Sequence, residues 1–332
     1  EDYHGYQSYA GIPELREAVA DWYKQKFAVV LNPANEILPL IGSKEGIMHL
    51  SMTYLQAGDR VLVPNPGYPT YSAAAKLAGA EVVEYGLTEA NGWIPDLDVL
   101  EEMDLSKVKM MWINYPHMPS GALGSQTLFK DLVDFARRHE ILLCHDNPYA
   151  FILNENPHSI LEIPGAMEVA VELNSLSKTF NMAGWRIGFL VGHKDRISEV
   201  LRFKSNMDSG MFKPLQLAAV EALKQPDVWY RQVNDTYRKR RVLAEAIMTA
   251  LGCTFDKGQV GMFVWAKIPG TYSDGIALAD QLLEDAHVFI TPGNIFGNHG
   301  QQYLRISLCS KEPVLKEALE RLEKWKVDNN KD

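Results

Sequence analysis

The sequence predicts an α/β protein, with a large domain built on a mostly parallel, helix-covered sheet and a smaller α+β domain after it. Two observations predict this. Apolar, β-branched runs recur at 61–64 (VLVP), 81–85 (EVVEY), 108–114 (VKMMWIN), 140–145 (EILLCH), 169–174 (VAVELN) and 187–191 (IGFLV). Between most of them lie stretches of helical period, such as 44–57 (KEGIMHLSMTYLQA) and 125–139 (SQTLFKDLVDFARRH), and this alternation marks a sheet covered on both faces. Beyond about residue 225 the pattern changes to a long amphipathic helix over 227–252, short strands in GMFVWAKI and YLRISL, and a closing helix over 313–325. The expected division is 1–230 for the large domain and 231–332 for the small one.

Bulk composition narrows the function. At 332 residues, 46% hydrophobic and 23% charged, the chain is long enough for two packed cores. A formal charge of −9 opposes a general nucleic-acid or anionic-membrane surface, which clustered Lys and Arg would drive. No partner of those classes is expected. Cys144, Cys253 and Cys309 are odd in number and scattered among apolar residues, which argues against a disulfide framework or a metal site and for a reducing, cytoplasmic location. No apolar run is long enough to span a bilayer. The sequence opens on Glu1 directly into a dense motif, which predicts a preceding segment in the natural protein.

In open α/β sheets ligands gather outside the carboxyl ends of the strands. Asn114, Asp146 and Ser175 each follow a predicted strand. Gly42 and Ser43 precede the helix that begins near Lys44, so their N–H groups and the helix dipole suit an anion. Ser175 and Arg186 offer side-chain donors to it. Taken singly, Lys178, Asp146 and Arg186 have ordinary surface or capping roles; together they do not. A nucleophilic lysine that then carries a proton needs a carbonyl partner, which pyridoxal phosphate supplies. Its phosphate suits Ser175, Ser177, Arg186 and the Gly42-Ser43-Lys44 turn. Its ring nitrogen suits the carboxylate of Asp146, and its phenolic oxygen suits a donor such as Tyr149.

At these motifs the chain resembles the class I/II aminotransferases of the aspartate aminotransferase superfamily, which are fold-type I pyridoxal phosphate enzymes. The resemblance runs from YQSYAGIPELREAVADWY through IGSKEGI, NPGYPTY, NYPHMPSG, HDNPYAF and SLSKTFNMAGWRIG to YLRISL. The most specific part is S-x-S-K with arginine eight residues later and Asp146 32 residues before Lys178. The resemblance implies that Lys178 is the Schiff-base lysine, Asp146 the partner of the pyridine nitrogen, Tyr149 the donor to the ring oxygen and Tyr68 the aromatic stacked on the ring. Ser175, Arg186, Ser43, Lys44 and Ser177 are implied phosphate contacts. Tyr6 is implied to reach the phosphate in a neighbouring subunit, which makes a homodimer with shared sites the expected assembly. Arg305 is implied to grip the substrate α-carboxylate, with Asn114 and Ser209 also near the substrate. Lys204, Asn206 and Ser209 fall where the family has a loop reaching the neighbouring site, and a cationic Lys204 there would favour an acidic or polar substrate.

One position departs from the family pattern. Met118 stands where Asn usually precedes the proline, and a thioether donates no hydrogen bond, so Asn114 and His117 are the nearby candidates to replace that contact. The expected activity is amino transfer between an L-amino acid and a 2-oxo acid, within amino-acid metabolism. A pyridoxal phosphate C–S β-lyase on the same fold is the alternative. A non-catalytic cofactor-binding sensor lacks the basic DNA-binding module expected beside it, and a nicotinamide dehydrogenase lacks G-x-G-x-x-G after an early strand.

Overall fold

The computed structural model describes residues 3–329. Its main sheet has seven strands: β1 (Ile37–Leu40), β2 (Arg60–Asn65), β3 (Glu81–Gly86), β4 (Val108–Ile113), β5 (Leu142–Asp146), β6 (Ala170–Ser175) and β7 (Gly188–Gly192), in the order β1-β7-β6-β5-β4-β2-β3. From β3 across to β6 all neighbours are parallel. Only β7 runs against its neighbours β6 and β1. Strands β4 to β7 are buried almost throughout, which explains their continuous apolar runs, since both faces of the sheet are covered by helices. Each predicted strand forms within about two residues of its expected position. β1 was not anticipated, because ILPL is short and carries a proline; its burial comes from pairing with β7.

Two cores line the two faces. One is rich in aromatics, packing Trp22, Tyr23, Phe27, Phe151 and Phe189 from the helix Pro13–Phe27 and its surroundings. The other packs Trp112, Tyr71 and Leu40 beneath the helices Ser43–Tyr54 and Pro69–Leu77. The predicted helix near 125–139 forms as Gln126–Arg138, with Ser125 accepting from the Leu128 N–H, a cap worth about 1 kcal/mol.

The long helix forms as Asp227–Ala250 and the closing helix as Glu312–Asn329. Between them lies an antiparallel sheet of β8 (Phe263–Lys267), β9 (Thr291–Pro292) and β10 (Tyr303–Ser307), ordered β8-β10-β9. It shares a separate core with both helices. The carboxyl ends of β4, β5 and β6 face this second unit across a cavity.

Candidate active site

Because β4, β5 and β6 run parallel, Asn114, Asp146 and Ser175 emerge at one edge of the sheet, although they are far apart in sequence. Ser175 also caps the short helix Leu176–Thr179, its hydroxyl accepting from the Ser177 N–H at 3.1 Å, and that helix carries Lys178. A cavity of about 450 Å³ opens there. Ser43, Lys44, Tyr68, Asn114, Asp146, Tyr149, Ser175, Ser177, Lys178, Arg186 and Arg305 all line it, so the structure brings together most of the residues selected from the sequence.

One end of the cavity is built for an anion. The helix Ser43–Tyr54 begins there with no side chain capping its first N–H groups, which leaves them free for a ligand. Gly42, at the turn, has φ +79°, and a Cβ on it would come within 2.2 Å of Arg186 Nη2. Gly188 lets the same turn approach β7, where a Cβ would meet the Ser43 nitrogen at 2.6 Å. Arg186 itself adopts φ +56°, a conformation rare for non-glycine residues. Its guanidinium donates to Ala183 O at 2.8 Å and Ser177 Oγ at 3.4 Å. Among the described residues no carboxylate lies within ion-pair distance of Arg186, Lys44 or Lys178.

Asp146 forms the centre. It is buried, and Oδ2 accepts from the Tyr71 hydroxyl at 2.8 Å while Oδ1 has no partner. Burial pushes its carboxyl up to about 6, partly offset by the Tyr71 bond and the nearby His145. A buried oxygen left unpaired costs about 1–3 kcal/mol, so Oδ1 is suited to a protonated nitrogen in the cavity. Sequence reasoning missed Tyr71. It stacks on Trp112, centroids 4.9 Å apart and planes within 6°, and its only sequence signal was a second tyrosine three residues after Tyr68. Burial, then the Asp146 charge, hold Tyr149 well above the usual tyrosine range, which keeps its hydroxyl a donor.

Arg305 stands at the other end. Its guanidinium lies between the rings of Phe263 and Phe296, 4.2 and 4.4 Å from their centroids, and one nitrogen contacts Met118 Sδ at 3.5 Å. Nε has no partner, and no described carboxylate pairs with the side chain. Burial lowers its pKa, the cost of holding a cation without a counter-charge.

The neighbourhood of Met118 separates the two candidate replacements for the missing amide. Both ring nitrogens of His117 are engaged, by Ser120 Oγ at 2.6 Å and Pro66 O at 3.1 Å, and burial pushes its pKa down to about 4. His117 is therefore closed to a ligand. Asn114 does line the cavity, but it accepts from the Met118 N–H at 2.8 Å and donates to Asp146 O at 2.5 Å, tying the ends of β4 and β5 together.

Lys204 corrects an expectation. It is buried and does not face the cavity; its ammonium pairs with Asp208 and, at 3.6 Å, with Glu45. The sequence suggested a loop lysine, but the helix Lys194–Lys204 packs it under the helix that begins at Ser43. Asn206 and Ser209 are exposed, and neither lines the cavity of its own chain. Tyr6 also lies outside it and is 93% exposed.

Comparison with known proteins decides the family. The model for aminotransferase class I and II matches residues 1–322. The chain belongs to this family. It is 44% identical over 321 residues to the LL-diaminopimelate aminotransferase of Desulforudis audaxviator, covering 96% of this chain and 82% of that protein. The enzyme of the same name from Halothermothrix orenii is 42% identical over the same length and shares. Among solved structures, apo-BacF from Bacillus subtilis superposes with a TM-score of 0.93 at 39% identity, covering 97% of this chain and 86% of that one. A mutant of Thermus thermophilus aspartate aminotransferase gives 0.89 at 29%, covering 97% and 84%. This aminotransferase is therefore a pyridoxal-phosphate-dependent transaminase of fold type I, and the comparisons support amino transfer rather than the C–S lyase alternative. The unpaired Asp146 oxygen, the uncapped helix start and the arginines without carboxylates fit the cofactor's nitrogen, its phosphate and a substrate carboxylate.

Proposed function

We propose that this aminotransferase acts on a diamino dicarboxylic acid of the LL-diaminopimelate type, with a 2-oxo acid as the other substrate, and that Lys178 carries the chemistry. One observation supports the assignment of roles. A single cavity joins an unpartnered lysine, a buried carboxyl with one free oxygen and two arginines without counter-charges. The substrate class rests on relatives above 40% identity that carry that name. Bound pyridoxal phosphate supplies a carbonyl for covalent attachment and a ring that withdraws charge from the substrate Cα. Asp146 would hold the ring nitrogen protonated, Tyr149 would donate to the ring oxygen, and Tyr68 would cover one face. The N–H groups at Gly42, Ser43 and Lys44, with Ser175, Ser177 and Arg186, would hold the phosphate. Arg305 would fix the α-carboxylate through two parallel donors, with Asn114 beside it. Lys178 would take the Cα proton and return it on the other side of the transfer.

Assembly and location extend the same reading. The segment bearing Tyr6 lies against the loop after Lys204, where Gly210 has no room for a Cβ beside Gln7 O. Met207 and Phe212 in that loop are exposed apolar residues. A homodimer would cover them and carry Tyr6 to the partner's phosphate and Ser209 toward the partner's substrate, as a two-fold interface allows. Sedimentation of the active enzyme as a monomer would remove that proposal. A domain boundary near 230 is supported by the long helix, whose Trp229 and Tyr230 pack on the first core and whose Ile247 and Met248 pack on the second. No described helix is long and apolar enough to cross a membrane, and three unpaired cysteines suit a cytoplasmic location. The deciding experiment is a panel of amino donors against a common 2-oxo acid. LL-diaminopimelate should give the highest kcat/KM, and Lys178→Ala should abolish turnover. Preference for aromatic donors or aspartate would overturn the substrate class, and an active Lys178→Ala would overturn the role of the lysine.

A further inference from the structure

Behind Asp146, on the opposite face of β5, lies a closed polar network that the reading above does not use. His145 and Glu172 are fully buried, and His145 Nδ1 meets Glu172 Oε2 at 2.8 Å. The other ring nitrogen, Nε2, meets the carbonyl of Tyr115 at 3.0 Å. Glu172 is surrounded by donors. Tyr23 OH reaches Oε1 at 2.7 Å, and Ser159 Oγ and the Ile160 N–H reach Oε2 at 2.9 and 3.0 Å. Burial, then the charge of Glu172, hold Tyr23 well above the usual tyrosine range, so its hydroxyl keeps the proton it donates. The Ser159 hydroxyl accepts from the Leu161 N–H, which leaves its own proton for Glu172.

The donors and acceptors around the pair are unequal in number. A carboxylate that receives hydrogen bonds from a phenol, a hydroxyl and an amide has no site at which its own proton is needed. A neutral imidazole offers one N–H and one lone pair, yet here both nitrogens face acceptors. We propose that both ring nitrogens of His145 carry protons, and that this imidazolium, anchored by Glu172, is a positioning residue that keeps Asp146 ionised. It acts in two ways. Its bonds join the loop after β4, at Tyr115, to β6, at Glu172, and β5 lies between them, so the three strand ends that carry Asn114, Asp146 and Ser175 are fixed in register. Its charge sits on the residue next to Asp146 and favours ionisation of that carboxyl, while the Glu172 charge one strand further away opposes it. The remaining groups around the pair are uncharged: Tyr23, Ser159, Tyr115 and the ring of Phe129, 5.0 Å from the imidazole. On its own face Asp146 meets Tyr71, with Tyr149 nearby.

The proposal rests on Asp146 serving the cofactor nitrogen, but its test does not. Cys144-His145 is the only Cys-His pair in the chain, so paired isotope labelling assigns this histidine in the wild-type, cofactor-free protein. Nitrogen NMR near neutral pH should show two protonated ring nitrogens for His145; one unprotonated, pyridine-type nitrogen would overturn the proposal without any variant. His145→Gln retains a hydrogen-bonding side chain and removes the charge. Carbon NMR of the Asp146 carboxyl, assigned with Asp146→Asn, should show it ionising at higher pH than in the wild type. Pyridoxal phosphate affinity should fall tenfold or more at pH 6 and much less at pH 8.5. An unchanged Asp146 titration, or an affinity loss equal at both pH values, would reduce His145 to a packing residue. Failure of cofactor binding with an intact Asp146 shift would count instead against the role assigned to Asp146.

Discussion

Lys204 and Arg305 are both cations withdrawn from water, and both were expected near a substrate. Their surroundings differ. Lys204 is closed by two carboxylates of the same chain, Glu45 and Asp208. Glu45 also accepts from the Ile41 N–H at 2.6 Å and contacts His49 at 3.2 Å. Arg305 has two aromatic faces, a sulfur and an unpaired Nε. A buried cation whose charge is balanced internally is part of the framework, whereas one left unbalanced waits for an anion from outside. Lys204 can thus affect the phosphate end of the cavity only through Glu45, which braces the turn leading into the helix at Ser43.

The largest effect expected from this contrast is on stability. Lys204→Met leaves Glu45 and Asp208 facing each other without a cation and should cost about 3–5 kcal/mol in urea unfolding. Burial opposes ionisation of Glu45, but the hydrogen bond from His49, the charge of Lys204 and the bond from the Ile41 N–H outweigh it and hold the carboxyl below the usual glutamate range. A depressed carboxyl contributes stability that is present above the unfolded value and is lost as pH falls through the folded one. The wild type should therefore lose stability steeply below about pH 4.5, and Lys204→Met should show a shallower slope there. A variant that melts like the wild type but binds acidic substrates poorly would restore the expectation drawn from sequence.

Arg305→Lys should show the reverse pattern. Losing a paired, charge-assisted contact worth about 1.5–3 kcal/mol should raise KM for α-amino acids roughly 10- to 150-fold. Unfolding free energy should change by less than about 1 kcal/mol, because no internal counter-charge is lost and a lysine ammonium still sits between the Phe263 and Phe296 rings. A large stability loss with unchanged KM would make Arg305 a framework residue. The smallest effect concerns Met118, which supplies the sulfur against Arg305. Met118→Asn offers an amide donor to the cavity, worth about 1 kcal/mol, and should tighten pyridoxal phosphate binding by about fivefold in a fluorescence titration. No change would mean that the second amide proton of Asn114 already serves the ring.

The sequence alone carried the strand runs, the helical periods and the strand-end residues Asn114, Asp146 and Ser175. It did so because local periodicity decides secondary structure, and parallel strands bring their carboxyl ends to one edge whatever the connecting lengths. Glycine at position 42 was legible as a turn, though not the reason for it, which is the guanidinium of Arg186 packed where a Cβ would lie. Tertiary structure alone decided which polar groups are satisfied. Tyr71, stacked on Trp112 of β4, became the partner of Asp146 at the end of β5. His117 was closed by Ser120 and Pro66, Lys204 was sealed by Glu45, and His145 was joined to Glu172 from the next strand. Each outcome depends on a partner distant along the chain or on a bend in three dimensions. Residue type states what a side chain can donate or accept, and only packing determines whether another residue has already taken it.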